Sequence, residues 1–197
     1  MDDFLKRFHF REILKDFAIQ DWFDSSDKAI RGIFETSDHH QIWITDDSSI
    51  GHCIFITDTK GVNKNKLLII NNFTQKALYL WRIDGKLYKK DTRCDCAIIH
   101  DNLLHLIEFK ANAQNESSAA IEENYAKAMD QLGTTLTTLE SQYNHCQKKI
   151  WDFFSDIDAQ VVFNPTVPQK TALQQSTAVK FLKEYGIKLN FGNTLDI

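Results

Sequence analysis

Asp95, Glu108 and Lys110 are the residues whose types and spacing could do chemistry, and all three fall in the stretch from Arg93 to Lys110. That stretch reads as two apolar strands joined by a tight turn at Asp101-Asn102. Residues two apart on a strand share a face and sit about 6.6 Å apart, so Glu108 and Lys110 point the same way. Asp95 lies 13 positions before Glu108 (108 − 95), and folding the hairpin about Asp101-Asn102 brings a carboxylate from each strand towards one point. Two converging carboxylates make an oxygen-rich, hard site that suits Mg2+ or Mn2+ better than zinc. An ion there could activate a water and offset charge on a phosphodiester, while the Lys110 ammonium orients the nucleophile or neutralises developing charge. The competing reading is a solvated strand face with an ordinary cross-strand ion pair. The apolar runs Cys96-Ala97-Ile98-Ile99, Leu103-Leu104 and Leu106-Ile107 argue against it, because carboxylates within buried strands are costly unless paired or metal-bound.

A rival string has almost the same spacing. Asp46 or Asp47 precedes Asp58-Thr59-Lys60 by 12 or 11 positions (58 − 46, 58 − 47). The residues after each lysine separate the two. Asp58-Thr59-Lys60-Gly61 reads as a turn. Beyond Lys110 a small, polar connector (Ala111 to Ser118) leads into Ile121, Tyr125, Ala128, Leu132, Leu136, Leu139 and Tyr143, spaced by threes and fours. This spacing predicts a helix from about Ser118 to His145. Ala159 to Phe163 follows as a strand, stopped by Asn164-Pro165.

With these elements in place, the chain from about Lys90 to Pro165 resembles the PD-(D/E)XK nuclease superfamily, the restriction-endonuclease-like fold. The resemblance implies a core of a helix, three antiparallel strands, a helix and a further strand. It implies Asp95 and Glu108 as metal ligands, the Phe109 carbonyl as a further ligand, Lys110 as the catalytic lysine, and Gln131 as a polar residue near the site. The chain departs from the family pattern in three places. Cys94 stands where the family name carries proline, and Gln131 is followed four residues later by Thr135 rather than tyrosine. The glutamate that many members place on the first helix has only Glu12 and Glu35 as candidates.

The flanking regions supply the remaining elements. Phe4, Phe8, Phe10, Ile13, Leu14 and Phe17 predict one amphipathic helix over residues 3–18, and Ser26 to Phe34 a short second one capped by Ser25 or Ser26. Ile42 to Thr45, Cys53 to Thr57, Leu67 to Ile70 and Ala77 to Ile83 read as strands, the last turning at Asp84-Gly85 into Lys86 to Lys90. A final helix over Thr171 to Tyr185 ends at Gly186, before a strand over Ile187 to Phe191. The expected fold is a single α/β domain over residues 1–197 with a mixed central sheet flanked by helices. Its restriction-endonuclease-like core spans about 90–165, behind an N-terminal helix and strand extension.

Composition bounds the rest. A chain of 197 residues with 43% apolar content can bury one core, and its net charge of −4 neither announces nor excludes nucleic acid. Lys86, Lys89, Lys90 and Arg93 cluster before Asp95 and could grip a phosphate backbone, or simply charge an exposed strand. Cys94 and Cys96 with His100 and His105 have the side chains of a zinc site but not its spacing, so they read as small core residues. Four cysteines, an N-terminus unlike a signal segment and no apolar run near about 20 residues point to a reducing cytoplasm and no membrane. The expected activity is Mg2+- or Mn2+-dependent phosphodiester hydrolysis, with DNA ahead of RNA as partner and a homodimer as an allowed assembly. The alternatives are an inactive member of the fold that recognises a partner, or an immunity-type protein whose acidic surface meets a basic one.

Overall fold

Alternating buried and exposed side chains along the middle of the chain build strands that fall into two sheets. The computed structural model describes residues 1–19, 26–84, 93–110, 117–166 and 171–197. Strand β1 is Phe34–Ser37, β2 Gln41–Asp47, β3 His52–Ile56, β4 Leu68–Asn71 and β5 Leu78–Arg82. Strand β6 is Cys96–His100, β7 Leu103–Phe109, β8 Asp156–Val162, β9 Lys188–Phe191 and β10 Thr194–Asp196. The helices are α1 Asp2–Arg7, α2 Phe10–Ile19, α3 Asp27–Gly32, α4 Ser118–His145 and α5 Thr171–Tyr185.

The larger sheet has the order β1-β5-β6-β7-β8-β9. β5, β6 and β7 run antiparallel to one another, and β6 meets β7 in the register His100↔Leu103 to Cys96↔Ile107. The Asp101-Asn102 turn between them holds Asp101 at a left-handed φ of 49°, a conformation that Asp and Asn tolerate better than most residues. After β7 the chain crosses through α4 and returns as β8, parallel to β7, then crosses through α5 and returns as β9, parallel to β8. β1 closes the far edge antiparallel to β5. The smaller sheet has the order β10-β4-β2-β3.

The strand period decides what each face covers. Ala97 and Ile99 of β6, Leu104 and Leu106 of β7 and Ala159 and Val161 of β8 face the helices, in one core with Ile121, Leu132 and Leu136 of α4 and Phe181 of α5. The intervening residues Cys96, Ile98, Ile107 and Phe109 face the smaller sheet and pack with its Ile42, Ile44, Leu68 and Ile70. The layers are thus helices, six-stranded sheet, four-stranded sheet.

Several expectations agree closely with these elements. Helix α4 spans the residues that the apolar spacing predicts. Its first turn is capped by the Ser117 hydroxyl, which accepts from the Ala120 N–H at 3.3 Å. Helix α5 ends before Gly186, whose φ is 75°. Others are corrected. The single helix expected over 3–18 is two helices, broken at His9 with φ 54°. Phe8 and Phe10 are both buried, at 2% and 0% exposure. In one continuous helix they would point about 200° apart. The break lets both rings enter the core, where Phe8 stacks on Phe154 and Phe10 meets Trp81.

The short second helix ends at Gly32, and Phe34 opens β1, a strand that the local pattern does not reveal. The expected partner strand Lys86 to Lys90 lies outside the described residues. Among the described residues no helix is long and apolar enough to cross a membrane.

Candidate functional site

The site forms at the end of the large sheet where β6 begins and β7 ends. Beyond the last register pair of the hairpin, Cys96↔Ile107, the next residues along the two strands are Asp95 and Glu108. The Asp95 carbonyl accepts from the N–H groups of Ile83 and Asp84 at 3.2 and 3.1 Å, which pins it to the end of β5. Its carboxylate Oδ2 accepts the Phe109 N–H at 2.6 Å, so Asp95 is held across the hairpin by main chain.

Glu108 is 1% exposed. Its Oε1 lies 2.7 Å from Lys110 Nζ, which also donates to Gln131 Oε1 at 2.5 Å. Gln131 Nε2 donates to the Arg93 carbonyl at 3.0 Å. One turn further along α4, the buried Thr135 hydroxyl accepts the Cys94 N–H at 2.9 Å and donates to the Gln131 carbonyl at 2.8 Å. Residues four apart share a helix face. That face of α4 therefore grips both the lysine and the segment that carries Asp95.

The electrostatics are strained by burial. Removal from water, with Asp46 and Asp84, pushes the Asp95 carboxyl up to about 7 against the lowering by the Phe109 N–H and Lys110. Glu108 is driven up by burial and then by Asp95, with Lys110 opposing. Asp46 is raised by burial and then by Asp84 and Asp47. Buried like charges that resist ionisation together are what an added cation relieves. A second observation agrees: Glu108 Oε2 is buried and has no hydrogen-bond partner among the described residues.

The structure thus brings Asp95, Glu108, Lys110 and Gln131 together, with Arg93 joined through its carbonyl. The Arg93 side chain is 6% exposed, a buried position rather than the exposed strand its neighbours suggest. The Phe109 ring lies between the sheets, and its N–H is committed to Asp95. Lys86, Lys89 and Lys90 lie outside the described residues. Glu12 pairs with His9 and Glu35 with Arg82.

The rival lysine string is a turn, with Asp58 Oδ1 accepting the Lys60 N–H at 2.8 Å. The thiols of Cys53, Cys94 and Cys96 are fully buried and pushed upward by that burial. His100 and His105 instead meet each other at 3.0 Å, and His105 meets Asp158 at 2.7 Å. The sequence names Thr135 only as a departure from the family pattern and Asp46 only within the rival string, and assigns neither to the site. A signal existed for each: Thr135 is four residues from Gln131, and Asp46 continues the alternation Ile42, Ile44 along β2.

Comparison with protein families, curated proteins and solved structures yields no match.

The chemistry of the site therefore rests on its own atoms. All the candidate donors are oxygens, which is the set that Mg2+ and Mn2+ prefer. Glu108 Oε2 and the Asp95 oxygen that does not receive the Phe109 N–H are the atoms that could hold an ion. Among the described residues no group of three His, Cys, Asp or Glu side chains is placed to hold a metal ion.

Proposed function

We propose that this chain is a Mg2+- or Mn2+-dependent nuclease with a restriction-endonuclease-like core, acting on DNA in preference to RNA. The observation that carries the reading is the meeting of Asp95, Glu108, Lys110 and Gln131 at one sheet end, with a buried Glu108 oxygen left without a partner. The topology supports it: three antiparallel strands (β5, β6, β7), then α4, then the parallel β8, follow the order expected of that fold.

When bound, the ion supplies Lewis-acid charge and lowers the pKa of water. The chain's own residues do the rest. Asp95 and Glu108 offer the ligating oxygens. Gln131 aims the Lys110 ammonium, which offsets negative charge that develops on phosphate. Thr135 keeps Asp95 in register by holding Cys94. Four free cysteines support a reducing, cytoplasmic setting.

A second reading has its own observation. Glu108 and Lys110 are joined in a buried ion pair, and four surface grooves formed by the described residues are lined by other side chains. A non-catalytic member of the fold that recognises a partner would keep such a pair closed.

A cleavage assay separates the two. The purified chain with Mg2+ or Mn2+ should cut labelled single- or double-stranded DNA, and Asp95→Asn should slow the cut about 100-fold or more. Lys110→Met should lose rate while still binding the ion. Absence of cleavage of any DNA or RNA substrate, with Asp95→Asn indistinguishable, favours the partner-recognition reading.

A further inference from the structure

The small sheet also reaches the carboxylates. On β2, Ile42 and Ile44 point into the core between the sheets, and the strand period puts Asp46 on that same inner face at the strand's end. Asp46 stands opposite Cys53 on β3. Cys53 is fully buried in the same core cluster as Cys96, and Cys96 follows Asp95 directly. A second contact fixes the same placement: Arg82, in register with Cys96, donates from Nε to the Cys53 carbonyl at 3.2 Å. The Asp46 charge acts on the Asp95 carboxyl, and Asp84 at the end of β5 acts on both. Acidic side chains alone would be no site. The independent observation is Glu108 Oε2, which is buried and lacks a hydrogen-bond partner among the described residues, on a carboxyl raised by that burial and then by the Asp95 and Asp84 charges.

We infer that the small sheet takes part in the metal centre, with Asp46 holding a hydrated divalent cation at the Asp95 and Glu108 carboxylates through that cation's water. The inference rests on the reading of Asp95 and Glu108 as metal ligands and adds a residue from outside the hairpin. The water-mediated role follows from the chemistry of the ion. Mg2+ and Mn2+ centres of one or two carboxylates retain coordinated water that neighbouring carboxylates can accept from. Asp46 is then a positioning residue.

The test is calorimetric titration of the full chain with Mn2+ alone at neutral pH, comparing wild type with Asp46→Asn, Asp46→Ser, Asp95→Asn and Asp156→Asn. Asp156 pairs with Leu103 at the opposite end of β7, about 17 Å from Glu108 at the usual strand rise. Thermal melts by circular dichroism confirm that each variant is folded. Asp95→Asn should abolish binding, both Asp46 variants should weaken it about five- to tenfold, and Asp156→Asn should leave it unchanged. If Asp95→Asn abolishes binding and the Asp46 variants stay within about twofold of wild type, Asp46 has no part and the metal centre stands without it. If Asp95→Asn binds like wild type, the metal centre itself is absent and the inference falls with it.

Discussion

Asp95 combines burial with a fixed direction. Its carboxyl sits at about 7, raised from 3.8, so the folded state holds a proton there that the unfolded chain has released. Its contribution to stability is therefore fully present below about pH 4 and lost as the pH rises through 7. Asp95→Asn keeps an acceptor for the Phe109 N–H without the charge. At pH 8 without metal it should be more stable than wild type in urea unfolding, by about 1–3 kcal/mol, with little difference at pH 4. Equal stability at pH 8 would mean that the carboxylate is not strained. Thr135 acts in the other direction. Thr135→Val strips the buried Cys94 N–H of its acceptor and should cost about 1–3 kcal/mol, read from the urea midpoint. The charges of Asp95, Glu108 and Lys110 were legible from spacing, since a strand period puts Glu108 and Lys110 on one face. The supporting residues were not: Thr135 and Asp46 act across 41 positions to Cys94 and between two sheets.

The hairpin and α4 form one device. β6 and β7 present the carboxylates, and α4 fixes them through Gln131 and Thr135. Both elements were legible because each has a strong period, a tight turn in one case and a long heptad-like apolar face in the other. The paired N-terminal helices were not, since nothing in a run of Phe spaced by four and two discloses a left-handed His9. The other end of the hairpin carries a separate titrating group. His100 is 3% exposed and lowered to about 4 by burial and by His105 and Lys76, while Asp101 and Asp158 raise it. Its folded pKa lies below the unfolded value of 6.5, so its share of stability is intact above pH 6.5 and lost as the pH falls toward 4. His100→Asn should flatten the fall in stability between pH 6.5 and 4 by about 1–3 kcal/mol, measured by urea unfolding at several pH values. An unchanged slope would assign acid lability elsewhere. The slope has the opposite sign to that of Asp95, so the two variants separate the contributions.

At the scale of the molecule, two sheets share one core, and the carboxylates lie at its edge. Individual strands were legible from alternation, but their partition was not. Ile42, Ile44, Leu68 and Ile70 mark a buried face without saying which sheet it covers. β10 is three residues long and is recruited to β4 by backbone hydrogen bonds such as Ile197 N–H to the Asn71 carbonyl, which leave no period in the sequence. For the proposed site, Asp46 arrives from an element that the hairpin alone would not implicate, and the Glu108–Lys110 pair must accommodate an ion for the proposed chemistry to run. Crystals soaked in Mn2+ test this most directly through an anomalous difference map. The account predicts a peak between Asp95 and Glu108, on the side of Glu108 Oε2, with Lys110 still held by Gln131. A map with no peak there, and Lys110 unchanged on Glu108, would contradict it.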